Sequence, residues 1–348
     1  MRRNRQPTRV YGTIMSMRIL VFPAVISGVV LVAAFMWGGL NALFLVALLA
    51  ILETTLSFDN AVVNAKVLAR MSEAWQRRFL TWGILIAVFG TRFVLPILIV
   101  AAAVGLSPVA VALLAFFDPV QYGTHLEDAH VAIASFGSVF LLLVSLKYFF
   151  NDRKTVHWIT LIERHMSRWG GIEAIEIAIV LLILLLCAFL LPAEAATILI
   201  AGLIGAVLFI VIEGVAQSFQ IETSTGVVGA GLALFVYLNV LDSAFSLDGV
   251  IGAFAITSNL AVIIAGLGIG AIFVRAFTVA LVRAKTLENL PYLEHGAHYA
   301  IFGLALSMLV GIFVHVPEAI TGLIGAVFIF FAYMSSRRAI NKSQSPII

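Results

Sequence analysis

Apolar residues run along this chain in long, nearly unbroken stretches that are separated by short polar segments. A helix that crosses the hydrocarbon core of a bilayer needs about 20 apolar residues, and many of the stretches have that length. The pattern therefore predicts an all-α, polytopic transmembrane bundle of about nine to ten helices. The predicted segments are 19–38, 41–70, 78–104, 128–150, 173–191, 195–216, 226–257, 260–284, 296–314 and 316–334. A shorter run at 107–117 is too brief to span and is interpreted as a re-entrant or interfacial piece.

The composition also indicates a membrane protein. Of the 348 residues, 62% are hydrophobic and 11% are charged, and the mean hydropathy is +1.10; average soluble domains are roughly 45–50% apolar. The lipid bilayer is therefore an expected partner. A single cysteine, Cys187, excludes a disulfide framework and a cysteine-based metal site. No pattern supports nucleic-acid binding.

Lysine and arginine cluster in alternate connections, as expected if these segments stay on the cytoplasmic side of the membrane. They lie in the N-terminal segment, at 70–78, at 153–168, near 283–285 and after 336, whereas 105–127 contains none. Both termini are therefore predicted to be cytoplasmic, with the bacterial inner (plasma) membrane as the expected location. The predicted regions are a basic N-terminus with the first helix (1–40), a first transmembrane repeat (41–150), a basic cytoplasmic loop with a connecting helix pair (151–225), a second, inverted repeat (226–336) and a cytoplasmic tail (337–348).

An acidic motif occurs twice inside these apolar segments. Each copy is followed by a further span that carries a basic residue, Arg92 after the first copy and Arg275 after the second. The two motif segments are the second and the seventh in the predicted order, so they cross the membrane in opposite directions. Inverted repeats of this kind are typical of secondary transporters and bring corresponding segments together near the membrane midplane. The two copies are Glu53-Thr-Thr-Leu-Ser57-Phe-Asp59-Asn60 and Asp242-Ser-Ala-Phe-Ser246-Leu-Asp248-Gly249.

Carboxylates at membrane depth require compensation, because even lenient scales assign about 2.5–3.5 kcal/mol to an Asp at a helix centre. A divalent cation provides it directly, since carboxylate, hydroxyl and amide oxygens are the ligands that Mg²⁺, Ca²⁺ and Mn²⁺ prefer. The two arginines can neutralise the site when it is empty. The predicted metal ligands are Glu53, Asp59, Asn60, Asp242 and Asp248, with Ser57, Ser246, Arg92 and Arg275 in supporting positions.

The helical geometry leaves two arrangements open. On a straight helix, Asp59 is displaced by about 120° from the face that the other oxygens of its motif share. Either the helices break near Ser57 and Ser246, which turns all the oxygens inward, or Asp59 and Asp248 point to a neighbouring helix. A structural alternative is that the acids only pair with the arginines and fix helix packing.

A second polar group begins the ninth predicted segment. Glu294, His295 and His298 lie close together in the sequence at its expected cytoplasmic end. They are candidates for a proton relay or for a site where metal ions enter the protein. An ordinary polar helix start near the interface explains them equally well.

Together, the two acidic motifs and Arg275 resemble those of the TerC family of integral membrane proteins, which is named for tellurium resistance. The resemblance covers roughly residues 41–335 and is closest to an uncharacterised branch. It implies a helical transporter related to the LysE exporter superfamily, in which several members are assigned to Mn²⁺ efflux and others are linked to tellurite or metal stress. The family's acidic positions map onto Glu53, Asp59, Asn60, Asp242 and Asp248. Gly249 departs from the family pattern, which often has a polar residue there.

The leading functional hypothesis is a secondary transporter that exports a divalent cation, most readily Mn²⁺, through a midplane acidic site. The cation is a substrate, and no tightly bound cofactor is expected. No phosphate-binding loop or nucleophile motif is visible, so ATP-driven transport and enzymatic activity are not expected. The alternatives are an exporter of a small organic solute and a membrane scaffold or assembly factor in the metal or tellurite stress response. A homo-oligomer also stays an open alternative.

Overall fold

The computed structural model describes residues 8–222, 229–314 and 316–344, and these ranges are almost entirely helical. The helices of the first half are α1 (Thr8–Leu56), α2 (Phe58–Leu68), α3 (Glu73–Leu85), a π-helical segment (Ile86–Val94), α4 (Leu95–Val104), α5 (Pro108–Phe117), α6 (Pro119–Asp128) and α7 (His130–Phe149). Those of the second half are α8 (Thr160–Trp169), α9 (Ile175–Leu190), a 3₁₀ turn (Pro192–Glu194), α10 (Ala195–Glu222), α11 (Gly229–Ile256), α12 (Leu260–Arg283), α13 (Thr286–Asn289), α14 (Leu293–Gly311) and α15 (Glu318–Gln344).

Seven of the helical stretches in the described residues are long and apolar enough to cross a membrane. This confirms the predicted polytopic helical bundle. Two further predicted segments form the helices α9, which is shorter, and α14, which begins with polar residues. The seven stretches are Ile19–Leu56, Glu73–Ala102, His130–Phe149, Pro192–Val215, Gly231–Ile256, Leu260–Arg283 and Ile320–Asn341.

The structure agrees with one predicted boundary and corrects another. Segments 19–38 and 41–70 meet at Gly39, whose φ of 66° and ψ of −156° are non-helical and divide α1 into two helical parts at the predicted junction. Segment 41–70 is not one helix, since it divides at Ser57 into the end of α1 and α2.

The connection predicted between 105 and 127 consists of two short helices, α5 and α6. Each has proline at its first position, where the missing N–H costs no hydrogen bond. Each is also capped by a polar side chain: Ser107 Oγ accepts from the Ala110 N–H at 3.2 Å, and Asp118 Oδ1 accepts from the Gln121 N–H at 3.1 Å.

Close helix packing shows how the two motifs are oriented. The end of α1 runs in the same direction as α12, because Leu49 packs on Gly266 and Glu53 packs on Gly270. A Cβ atom at Gly270 would lie 2.3 Å from Glu53 Cγ, so only glycine permits this approach.

Helices α11 and α12, by contrast, run in opposite directions. Residues 257–259 join them, and Asp242 and Arg275, which form an ion pair, lie at similar distances along the chain from this connection. The end of α1 therefore crosses the membrane opposite to α11, as the inverted repeat predicts.

Candidate functional site

Two buried ion pairs lie at the centre of the bundle, one for each acidic motif. Glu53 Oε1 pairs with Arg92 Nη2, and Asp242 Oδ2 lies 2.9 Å from Arg275 Nη2. All four side chains are at most 5% exposed. A buried charge is tolerated when it is paired, so each arginine compensates the acid of its own repeat.

Each arginine is also held by its surroundings. Arg275 lies 3.9 Å from the ring centroid of Phe79, and its Nη2 donates to Asn239 Oδ1 at 3.4 Å. Arg92 lies in the π-helical segment, where its Nη1 donates to the carbonyl oxygen of Ala87 at 2.7 Å. Pro96 follows this segment; it has no N–H, and its ring crowds the carbonyl four residues before it, which favours a widened helix there.

The first motif contains a helix break and the second does not. At Ser57 the backbone has φ −94° and ψ 16°, α1 ends, and the Ser57 hydroxyl donates to Glu53 Oε1 at 3.0 Å. Helix α11 continues past Ser246, whose hydroxyl donates to the carbonyl oxygen of Asp242 at 2.8 Å. The helix break that the sequence left open is therefore present at Ser57 and absent at Ser246.

The repeats meet through two equivalent contacts. In one, Asn60 Nδ2 donates to Asp242 Oδ1 at 2.7 Å. In the other, the aligned pair is Gly249 and Glu53, and a Cβ atom at Gly249 would lie 3.0 Å from Glu53 Oε2. The longer acid, Glu53, thus faces Gly249, which has no side chain, and the shorter acid, Asp242, faces Asn60. This exchange gives a physical reason for the glycine at position 249.

Asp59 lies apart from the ion pairs and lines a small cavity. Its Oδ1 accepts from the Asn60 N–H at 2.8 Å, and its Oδ2 lies 3.8 Å from where a Cβ atom of Gly325 would be. Among the described residues, no basic side chain forms an ion pair with Asp59. The cavity measures about 40 Å³ and is lined by Glu53, Leu56, Ser57, Asp59, Phe245, Gly249, Ala300, Leu304, Thr321, Gly322 and Gly325.

The structure brings the predicted metal ligands together in pairs: Glu53 and Asp59 line one cavity, and Asn60 contacts Asp242. Asp248 belongs to α11, but its side chain lies outside the described part of the chain. Within the described residues, no three His, Cys, Asp or Glu side chains converge closely enough to hold a metal ion. The physical reason is that Glu53 and Asp242 are turned toward their arginines.

The second polar group forms a buried network at one end of α14. His295 Nδ1 lies 2.9 Å from Glu163 Oε2, and Lys154 Nζ lies 2.7 Å from the same oxygen. Glu294 instead pairs with Lys66 of α2 at 2.6 Å, and the His298 ring stacks on Tyr148. The sequence analysis missed Glu163, Lys154 and Lys66, because all three are distant in the sequence from α14; Lys154 and Glu163 also lie among other charged residues, and Lys66 lies between apolar residues within helix α2.

This network fixes the loop before α8 against the bundle. Burial opposes ionisation of Glu163, but the contacts from His295 and Lys154 outweigh it and lower the pKa of Glu163 to about 2. The same carboxylate also accepts from the backbone N–H groups of Trp158 and Ile159 at 3.3 and 3.2 Å. The arrangement therefore acts as an electrostatic attachment of the loop, and the predicted relay or metal-entry role of Glu294, His295 and His298 stays a prediction.

A comparison with protein families gives one match. The family described as "Protein of unknown function (DUF475)" matches residues 58–343, which include the second acidic motif, both arginines and the end of the first motif. No curated protein and no solved structure matches the chain.

Proposed function

Because the chain belongs to the DUF475 family, whose description specifies no activity, we propose from the site itself that the protein is a secondary transporter of a divalent cation. The observation that carries this proposal is that the two inverted repeats meet at their acidic motifs: Asn60 contacts Asp242, and Glu53 and Asp59 line one cavity together with Gly249 of the second motif. Buried acids at a repeat interface are typical of substrate and coupling-ion sites in transporters.

The arginines supply the charge balance that such a cycle needs. With a cation absent, Arg92 and Arg275 neutralise the two paired acids. An arriving cation would compete with Arg92 for Glu53, while Asp59 and the Ser57 hydroxyl offer further oxygens around the same cavity. Exchange of one positive charge for another limits the cost of opening a buried pair.

The cavity size favours an inorganic ion over an organic solute. Its volume of about 40 Å³ compares with roughly 10–15 Å³ of the same measure for one water molecule. A cation with one or two waters fits this space, whereas an amino acid does not. Mn²⁺ is the first ion to test because the TerC resemblance implies it, and outward direction and a proton gradient as driving force are proposed on the same basis.

The test is Mn²⁺ release from loaded proteoliposomes under an imposed pH gradient. We expect Asp59→Asn to reduce the rate at least about tenfold, because loss of a residue that only supports a metal ligand already costs about 10–100-fold. Asp152→Asn, an exposed acid in the loop after α7, is the matched control and should leave the rate unchanged. Equal rates for wild type and Asp59→Asn, with folded protein in both, would overturn the site.

A second function is favoured by one observation, the pairing of Glu53 and Asp242 with arginines. A membrane scaffold or assembly factor needs such pairs only for helix packing. This alternative predicts no flux of Mn²⁺, Ca²⁺, Mg²⁺ or Zn²⁺ from the pure wild-type protein.

A further inference from the structure

Helix α2 contains a buried amide that the site described above does not use. Asn64 is 0% exposed, and neither its Oδ1 nor its Nδ2 has a hydrogen-bond partner among the described residues. The Oδ1 atom of Asn60 is buried without a partner as well. A side-chain amide can make up to about four hydrogen bonds, so Asn64 leaves its entire capacity unused.

Asn64 continues the polar face that begins at the acidic motif. It lies four residues after Asn60, so the two amides occupy the same face of α2, one turn apart. The remaining residues between Asn60 and Lys66 are alanine and valine, and all of them are buried. The polar face of α2 therefore extends beyond the Asn60–Asp242 contact to Asn64, and the residues next to Asn64 in the sequence are apolar.

The direction of this extension follows from the packing of the repeats. Helix α2 continues the course of α1 along α12, as shown by the contact of Phe58 with Phe277, 5.9 Å between ring centroids. Asn64 is consequently nearer than Asn60 to the connection at 69–72, whose neighbouring arginines predict a cytoplasmic position. Asn64 thus lies between the midplane site and the predicted cytoplasmic surface.

Packing alone gives no reason for an amide at this position. A buried amide without partners destabilises a folded protein, most of all where no water replaces the missing hydrogen bonds. Valine, which already occupies positions 62 and 63, is closer to asparagine in volume than leucine is and would satisfy the surrounding apolar contacts. The amide oxygens of Asn60 and Asn64 are, however, suitable ligands for a hard cation that keeps part of its water shell.

We propose that Asn64 lines the cytoplasmic half of the cation path and, with the Oδ1 atom of Asn60, forms a second, uncharged binding station that adjoins the acidic site on its cytoplasmic side. This inference rests on the proposed transport function. Neutral oxygens hold a cation more weakly than carboxylates do, so such a station permits release toward the cytoplasm or capture from it.

The first test separates a path residue from a structural one. We expect Asn64→Val to leave the apparent unfolding temperature equal to that of wild type or to raise it by about 2 °C or more, while Mn²⁺ flux falls. Asn64→Asp, which keeps an oxygen at the position, should retain more flux than Asn64→Val. A clear fall in the unfolding temperature of Asn64→Val would identify Asn64 as a packing residue and overturn the proposal.

The second test does not depend on transport. In a Cys187→Ala background, Asn64→Cys should react with a small charged thiol reagent at least about tenfold faster than Ala65→Cys, its equally buried neighbour. Mn²⁺ should slow the reaction. A reaction no faster than that of Ala65→Cys, or one that Mn²⁺ does not change, would overturn the second station.

The two proposals can fail separately in these experiments. Selective, Mn²⁺-sensitive labelling at position 64 without wild-type flux would support the station and contradict the transport function. Wild-type flux without selective labelling would support the transport function and contradict the second station.

Discussion

One repeat contact pairs the long acid Glu53 with Gly249, and the other pairs the shorter acid Asp242 with Asn60. This difference predicts that substitutions at positions 249 and 53 compensate each other. Gly249→Asn introduces a side chain whose Cβ lies 3.0 Å from Glu53 Oε2, so the variant is overpacked. Overpacking of a buried contact costs about 1–3 kcal/mol. Glu53→Asp alone removes one buried methylene, worth about 0.8 kcal/mol, and withdraws the carboxylate from Arg92.

The double variant should be more stable than the sum of its parts. It reproduces at positions 249 and 53 the pairing that Asn60 and Asp242 form in the native protein, with a donor amide opposite the shorter acid. We expect a coupling energy of about 1–2 kcal/mol, within the range for residues in direct contact. At roughly 2 °C per kcal/mol for a chain of this size, the apparent unfolding temperature should recover by about 2–4 °C relative to additivity.

The single cysteine provides a suitable assay. Cys187 is buried, so a thiol-reactive dye labels it as the protein unfolds in detergent. All variants should be compared at one heating rate, because unfolding of membrane proteins in this assay is governed by kinetics. Gly171→Asn adds the same side chain where a Cβ atom meets nothing within 4 Å and serves as the control. Strict additivity of the two substitutions would refute the equivalence of the two contacts.

Two further predictions concern the charged networks. Arg92→Leu leaves Glu53 buried and unpaired, so it should lower the free energy of unfolding by about 3–5 kcal/mol. The double variant Glu53→Gln, Arg92→Leu should lower it less, because no buried charge is left without a partner. The same thermal assay checks both variants, and an unfolding temperature of Arg92→Leu equal to that of wild type would contradict the pairing. Because the pKa of Glu163 is lowered from 4.5 to about 2, its contacts stabilise the docked loop fully above pH 4.5 and lose this effect as the pH falls toward 2. Limited proteolysis of the loop should therefore accelerate over that range in wild type, and a Glu163→Gln variant, already loosened at pH 7, should show little of this change.

The sequence predicted the features that depend on local pattern. Long apolar segments are helical in the structure because a backbone in lipid must satisfy its own hydrogen bonds. The repeated spacing of acid and serine correctly indicated that Glu53 and Asp242 belong to equivalent, oppositely directed helices, and that the two following arginines lie close to them.

Features that depend on distant partners could not be predicted. The break at Ser57 and its absence at Ser246 have no distinguishing local signal, since both positions are serine in an apolar segment. The attachment of His295 to Glu163 joins residues that are 132 positions apart. Nor does a single sequence reveal that Gly249 makes room for Glu53, because the reason for this glycine lies in the other repeat.

The break at Ser57 gives the two halves of the bundle unequal stiffness. A continuous helix such as α11 resists bending, because bending stretches hydrogen bonds on one side along its whole length. In the first half, α1 ends at Ser57 and α2 begins at Phe58, so fewer backbone hydrogen bonds oppose a tilt of α2 against α1 at this junction. The two equivalent helices of the repeats therefore differ in bending stiffness, and the softer point lies at Ser57, beside the acidic pair of the first repeat.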